Sequence, residues 1–350
     1  MNKKMLAENF YLFLLLFLFF VGQSTVCCAA GWAKMYRKRF SFRESLQNKE
    51  KKDVFFTKNS VERFSQLVFS WNAFRPHAGH FSFFVQVRDS DTGKWSKWCK
   101  MVDWGAKVQR SHFARLQAGL TYVYVRLETG KNKYADGFRI KASAVDGANL
   151  KKLKGFSVCA SDFSKFKPEK VSSALLKLPS VYIRGVPRRS QMVLDHPRSG
   201  HMCSPTSCSM LVSFLNKKNI DPLAFAKKSF DQGLNAYGSW PFNVAHAFEL
   251  CRGRFFFSTV RLDSFKTMHR QLCRGVPLVV SVRGMLKGAP KDYNKGHLLL
   301  VLGWDAKRKQ VICHDPALSE DGKTLKKYDI KNFLAAWERS HRLTYWTDLG

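Results

Sequence analysis

The 350-residue chain predicts two globular parts, an all-β sandwich followed by an α+β domain. Its length suits two domains of ordinary size, and 45% apolar and aromatic residues supply their cores. Between residues 64 and 162 aromatic and β-branched residues fall at near-alternating positions, in FSQLVFSW, HFSFFVQVRD, TYVYVRLE and GFRIKASAV. The turn signals DSDTGK, LETGKNK and VDGAN separate these runs, which is the pattern of an antiparallel sandwich. Beyond about residue 186 the texture changes to capped helices and strands with unbroken apolar runs.

At the N-terminus, Lys3 and Lys4 precede a twelve-residue apolar run from Phe10 to Val21, and small and polar residues follow. That order reads as a secretory signal over 1–30, cleaved after Ala30. The run is shorter than the roughly 20 residues of a permanent span, so no integral membrane segment is expected after signal removal. The mature chain is therefore expected to be secreted, periplasmic or held at the cell envelope. A lipid anchor on Cys27 is the alternative, with Val26 bulky for the preceding position. Residues 31–62 read as a basic, pattern-poor lead-in, 63–162 as the sandwich, 163–180 as a linker and 181–350 as the second domain. WSKWCKMVDW sets three tryptophans in ten residues, for which core packing is favoured over stacking on sugar rings.

Lys and Arg number 59 against 26 Asp and Glu, a net charge of +33 that draws polyanions. The basic residues are spread along the whole chain, without a zinc-finger, RNP or helix-turn-helix pattern. The expected polyanion is thus an envelope polymer and not a specific nucleic-acid site. Cys27 and Cys28 leave with the signal, and the seven remaining cysteines are an odd number, so at least one thiol stays out of intrachain pairs. Cys99 and Cys159 are the two cysteines of the sandwich and a candidate bridge.

In the second domain SPTSCSMLVSFLNK carries Met210, Leu211, Phe214 and Leu215 at helical spacing, with Pro205 in the first turn. WPFNVAHAFELCRG and DSFKTMHRQLCRG read as helices ending at Gly253 and Gly275, and YDIKNFLAAWERS as a late helix. VPLVVSV (276–282), HLLLVLGW (297–304) and KQVICHD (309–315) read as strands, giving helices first and then a sheet.

The chemistry gathers in HPRSGHMCSPTSC, GHLLLVLGWD and CHDPA. A thiol nucleophile is helped by a helix N-terminus, whose free N–H groups and dipole favour the thiolate. Cys203 stands there, whereas Cys208 lies inside the helix among apolar neighbours. The base must be a histidine held by a third group. His297 opens an apolar strand, and Asp315 closes the next one, so the DAKRK turn can set them side by side. Strand alternation then turns His314 away. The backbone N–H of Cys203 and the side-chain amide of Gln191 are candidate oxyanion donors. His196, His201, Cys203 and Cys208 do not match the spacing of zinc hooks, His201 is a weaker alternative base, and His246 reads as a packed helix residue.

The order Gln191, Cys203 at a helix start, Gly296-His297 on a strand and Asp315-Pro316 resembles the papain-like peptidase fold. VPRRSQ, CSPTSCSMLVSF, SWPFNVAHAFE, GVPLVVSVRGMLKGAP, GHLLLVLGWD and HDPA resemble segments of the cysteine peptidase family 39-like proteins, over about 181–346. The β-rich first half resembles, less closely, the accessory domain ahead of such peptidases in secreted bacterial proteins. The resemblance implies Cys203 as nucleophile, His297 as general base, Asp315 as its orienter and Gln191 as oxyanion donor. It implies a peptide or protein substrate, and neither metal nor cofactor. Ser204 departs from the glycine that commonly follows the family's cysteine. Two rival functions remain: cell-wall amide hydrolysis or transpeptidation on the same triad, and an inactive peptidase fold that binds an envelope polymer.

Overall fold

The computed structural model describes residues 31–115 and 119–349. The expected signal and Cys27 lie outside the described residues. Eleven strands build the sandwich: β1 (Ala33–Arg39), β2 (Asp53–Lys58), β3 (Gln66–Ala73), β4 (His80–Asp89), β5 (Cys99–Gly105), β6 (Gln109–Ser111), β7 (Ala114–Arg115), β8 (Thr121–Val123), β9 (Arg126–Glu128), β10 (Ala135–Val145) and β11 (Leu153–Ser161). They form two antiparallel sheets in the orders β1-β11-β3-β9-β8-β7 and β2-β10-β4-β5-β6. Alternate residues turn inward, so Phe69, Trp71, Phe83, Trp104, Phe138 and Phe156 fill the space between them.

The expectation of a pattern-poor lead-in over 31–62 is corrected. Residues Ala33 to Arg39 pair with β11 from Ser161 to Gly155, and Asp53 to Lys58 border β10. Helix α1 (Phe42–Gln47) joins them, with Ser41 and Glu44 forming a capping box. Both strands lie at sheet edges, where lysine and arginine discourage pairing with other chains. Those charges mask the alternation that buries Val54 and Phe56. The bridge between Cys99 and Cys159 is also corrected: both thiols are free, Cys99 in the sandwich core and Cys159 in the core of the second domain. Of the three clustered tryptophans only Trp104 is fully buried, while Arg139 lies over Trp95 at 3.8 Å.

The linker is a packed strap. Phe163, Phe166, Val171 and Leu178 rest on the core of the second domain, and α2 (Ser173–Leu176) buries Leu175. Its apolar residues follow no period because they track a surface and not an axis.

The second domain continues with β12 (Val181–Tyr182), α3 (Cys203–Asn216), α4 (Pro222–Ser229), α5 (Trp240–Leu250), β13 (Phe255–Arg261), α6 (Phe265–Cys273), β14 (Leu278–Gly284), β15 (Tyr293–Asp305), β16 (Gln310–His314), β17 (Leu325–Asp329), α7 (Ile330–Glu338) and β18 (Leu343–Leu349). One sheet runs β13-β18-β14-β15-β16-β17, with β12 on β15. The fold is α+β, but β13 stands between helices, so the order of helices first is corrected.

Strand β3 joins the two parts. Leu67, Phe69, Trp71 and Ala73 face the sandwich core, and the alternate residues face the second domain. Asn72 exchanges two hydrogen bonds with the backbone of Phe257, donating at 2.9 Å and accepting at 2.8 Å. Ser70 Oγ accepts the N–H of Thr259 at 3.2 Å, and Arg261 donates to Gln66 Oε1 at 3.0 and 2.6 Å.

Candidate active site

Helix α3 starts at Cys203, a half-buried residue. The preceding Met202 supplies no side-chain cap, and the first turn holds no acidic residue. The positive end of the helix dipole is therefore left for the sulfur. Pro205 sits where a helix needs no N–H. One turn on, Ser207 Oγ donates to the carbonyl of Leu298 at 3.1 Å and fastens the helix to β15 beside His297. Ser204 is buried, its hydroxyl paired with that of Tyr345 at 2.8 Å, so the residue after the cysteine has its own partner.

His297 stands on β15 just after a bulge: Val282 pairs with His297 but Gly284 pairs with Tyr293. Gly296 makes the bulge with φ +88°, a conformation that favours glycine. Leu300 pairs with His314, and extending that register sets Asp315 diagonal to His297. The imidazole Nε2 and Asp315 Oδ1 are 2.7 Å apart, and the ring also interacts with the Cys203 thiol. Tyr293 stacks on the ring with centroids 4.0 Å apart and planes 17° off parallel. Its hydroxyl donates to Asp315 Oδ2 at 2.7 Å, and Tyr328 donates to the same oxygen at 2.6 Å. The N–H of Ala317 donates to Oδ1 at 3.0 Å, so the buried carboxylate is fully hydrogen-bonded.

The electrostatics follow from these contacts. Burial pushes the Cys203 thiol up, but hydrogen bonding to His297, the imidazolium charge and the N–H groups of Leu298 and Ser204 bring it below its ordinary value. Burial would lower His297, yet the charge and hydrogen bond of Asp315 and the neighbouring sulfur raise it to about 10. Burial opposes ionisation of Asp315 too, but the charge and hydrogen bond of His297, with Tyr328 and Ala317, bring it to about 2. Between the lowered Cys203 value and about 10 these shifts favour a thiolate beside an imidazolium.

Gln191 is buried close by in the chain path. Its N–H donates to the Pro316 carbonyl at 2.8 Å, and its side-chain Nε2 donates to the carbonyl of Ser199 at 3.1 Å. It thus lies between the residue after Asp315 and the turn that leads into Cys203, with a second amide N–H to offer.

The other candidates fall outside this constellation. His201 is exposed, and His196 accepts the N–H of Arg198 at 3.0 Å and meets the Tyr237 hydroxyl at 3.3 Å. Cys208 is buried within α3, where burial pushes its thiol well up. His314 turns to the Val186 carbonyl at 3.3 Å, and burial lowers it to about 4. His246 packs edge-on to Phe225 and lies 3.3 Å from Glu249. Sequence reading missed Tyr293 and Tyr328: neither has a motif, and only the fold brings both hydroxyls to one carboxylate oxygen.

Residues 183–345 match the family model described as the Peptidase_C39 like family, and this part of the chain is a cysteine peptidase domain. Among solved structures, a protein described as a C39-like peptidase from Bacillus anthracis is 14% identical with a TM-score of 0.37, covering 49% of this chain and 100% of its own. Xylellain, a cysteine protease from Xylella fastidiosa, is 11% identical with a TM-score of 0.30, covering 52% of this chain and 89% of its own. No curated protein matches the chain.

Proposed function

We propose that the C39-like domain hydrolyses peptide bonds through a triad of Cys203, His297 and Asp315, with Gln191 as an oxyanion donor. The observation that carries this is the buried contact of His297 Nε2 with Asp315 Oδ1 at 2.7 Å, on a ring that also interacts with the helix-start thiol of Cys203. The Cys203 thiolate attacks the scissile carbonyl, and the oxygen, now negative, takes N–H bonds from the Cys203 backbone and the Gln191 amide. His297, already protonated, gives its proton to the leaving amine. The acyl-enzyme remains on sulfur until the now neutral His297 takes a proton from water, which attacks and frees the thiolate. Asp315 holds the ring and its charge throughout. The depressed Cys203 thiol favours this reading over an inactive binding fold.

Secretion follows as part of the proposal, resting on the charged, apolar and small-residue order at the N-terminus. The +33 charge is the ground for expecting contact with an anionic envelope polymer. Digestion of a peptide library by the wild type and by Cys203→Ala tests the core of the reading. Cleavage is expected only with the wild type, and equal cleavage by both proteins would overturn it.

A further inference from the structure

A carboxylate outside the triad ties the sandwich to the catalytic half. Asp231 is fully buried in the loop between α4 and α5. Ser111 on β6 reaches both of its oxygens, donating its N–H to Oδ1 at 2.9 Å and its hydroxyl to Oδ2 at 2.6 Å. Within the loop, Ser239 Oγ donates to Oδ2 at 2.6 Å and the Gly233 N–H to Oδ1 at 2.9 Å. The loop is also bonded to Gln109 on β6. Gln232 N–H donates to the Gln109 carbonyl at 2.9 Å, and Gln109 N–H donates to Gln232 Oε1 at 3.2 Å. The Gln109 amide also donates to the carbonyls of Lys228 and Phe230 at 3.0 and 2.7 Å. Gly233 leaves no space here, since a Cβ would stand 1.9 Å from the Ser111 oxygen.

The far end of the loop grips the segment that leads into Cys203. Arg198 donates to the side chain of Asn235 at 2.8 Å and to its carbonyl at 2.6 Å. Tyr237 meets His196 at 3.3 Å and is packed with the buried Met202. Next to Arg198 stands Ser199, whose carbonyl holds the Gln191 amide at 3.1 Å.

We propose that Asp231 is a positioning residue through which the sandwich sets the oxyanion donor Gln191, by way of the Arg198–Asn235 clasp and the Ser199 carbonyl. The proposal rests on the oxyanion role of Gln191 given above. No bond in this path touches the Cys203 sulfur or His297, so it acts on the tetrahedral intermediate and leaves the nucleophile alone. An interaction made in the transition state alone changes kcat and leaves KM in place.

The test uses the full chain and a peptide that the wild type cleaves. It compares Asp231→Asn, Arg198→Ala, their double variant and Gln191→Ala. Iodoacetamide labelling of Cys203 is read by mass spectrometry in each protein, with the exposed Cys273 as internal reference. Alkylation reports the thiolate and needs no oxyanion donor. The expected result is a loss of kcat of roughly a hundredfold for Gln191→Ala and about tenfold for each positioning variant. KM and the Cys203-to-Cys273 labelling ratio stay within about twofold, and the double variant is no worse than the more impaired single one. Unchanged kcat in both positioning variants, beside a damaged Gln191→Ala, overturns the proposal and leaves the triad standing. So does a fall of labelling in step with kcat, which marks general distortion. Full kcat in Gln191→Ala removes the oxyanion reading and the proposal with it. Should Asp231→Asn fail to fold, Arg198→Ala decides alone, because Arg198 is only half-buried.

Discussion

On the proposed mechanism, the charge state of two residues sets the pH range in which this site works. Cys203 must be ionised to attack, and its pKa lies below the ordinary thiol range because His297 and two backbone N–H groups face the sulfur. His297 must be protonated to release the amine, and Asp315 keeps it so up to about 10. Raising the pH through the Cys203 value switches activity on, and raising it through the His297 value switches activity off. A bell-shaped profile of kcat/KM is therefore expected, with an acid limb below the usual thiol range and an alkaline limb near 10. In Asp315→Asn the charge that raises His297 is gone, so the alkaline limb moves to lower pH and kcat falls roughly a hundredfold or more. Stopped-flow rates across pH check both limbs, and an unmoved alkaline limb in the variant would show that Asp315 does not set it. Cys203 and Asp315 were legible as candidates because each stands at an element boundary that sequence marks, the Pro205 helix start and the Pro316 strand end, whereas Gly296 before His297 marks a bulge inside β15 and not the strand start that the sequence suggests. Tyr293 and Tyr328 were not, since a hydroxyl that holds a carboxylate has no local pattern.

At the level of elements, the bulge in β15 is what sets the direction of the His297 ring. Two residues of β14 span four of β15 between Val282 and Gly284, and Gly296 takes up the difference with its positive φ. Nothing stands within 4 Å of a Cβ built on Gly296, so Gly296→Ala meets no clash and feels only the backbone penalty. That penalty is about 1–2 kcal/mol for an L-residue in the left-handed region. Urea unfolding should register this loss, and kcat should fall more than stability implies as the His297 ring leaves its line between sulfur and carboxylate. Normal kcat in Gly296→Ala would separate the bulge from the aim of the base. Strand 297–304 was legible from its apolar run, because it is buried on both faces. By contrast, β1 and β2 were hidden by the lysines and arginines that guard a sheet edge. A charge-rich edge strand and a solvated tail have nearly the same composition, and only the pairing with β10 and β11 tells them apart.

For the molecule as a whole, the two halves identified by texture are one unit in packing. All eight residues of β3 are buried, because one face closes the sandwich and the other lies on β13 and α5. The polar members of that outer face, Gln66, Ser70 and Asn72, sit where an isolated sandwich would meet solvent. They are instead a ladder of bonds to Arg261, Thr259 and Phe257. Arg261 is buried and also donates to the carbonyls of Ser340 and His341 at 2.8 and 2.9 Å, so it fixes the entry to β18 as well as the seam. Removing the Gln66 amide leaves a buried guanidinium short of two hydrogen bonds, for which about 2–3 kcal/mol is expected. Because the seam is shared, that loss falls on both halves together. Calorimetry of the wild type should give one transition with equal calorimetric and van't Hoff enthalpies. In Gln66→Ala the same single transition should move down by about 2–4 °C per kcal/mol lost. Two resolved transitions, with only one displaced, would mean that the sandwich and the peptidase domain fold and melt independently, and that the seam holds them side by side without coupling their stability.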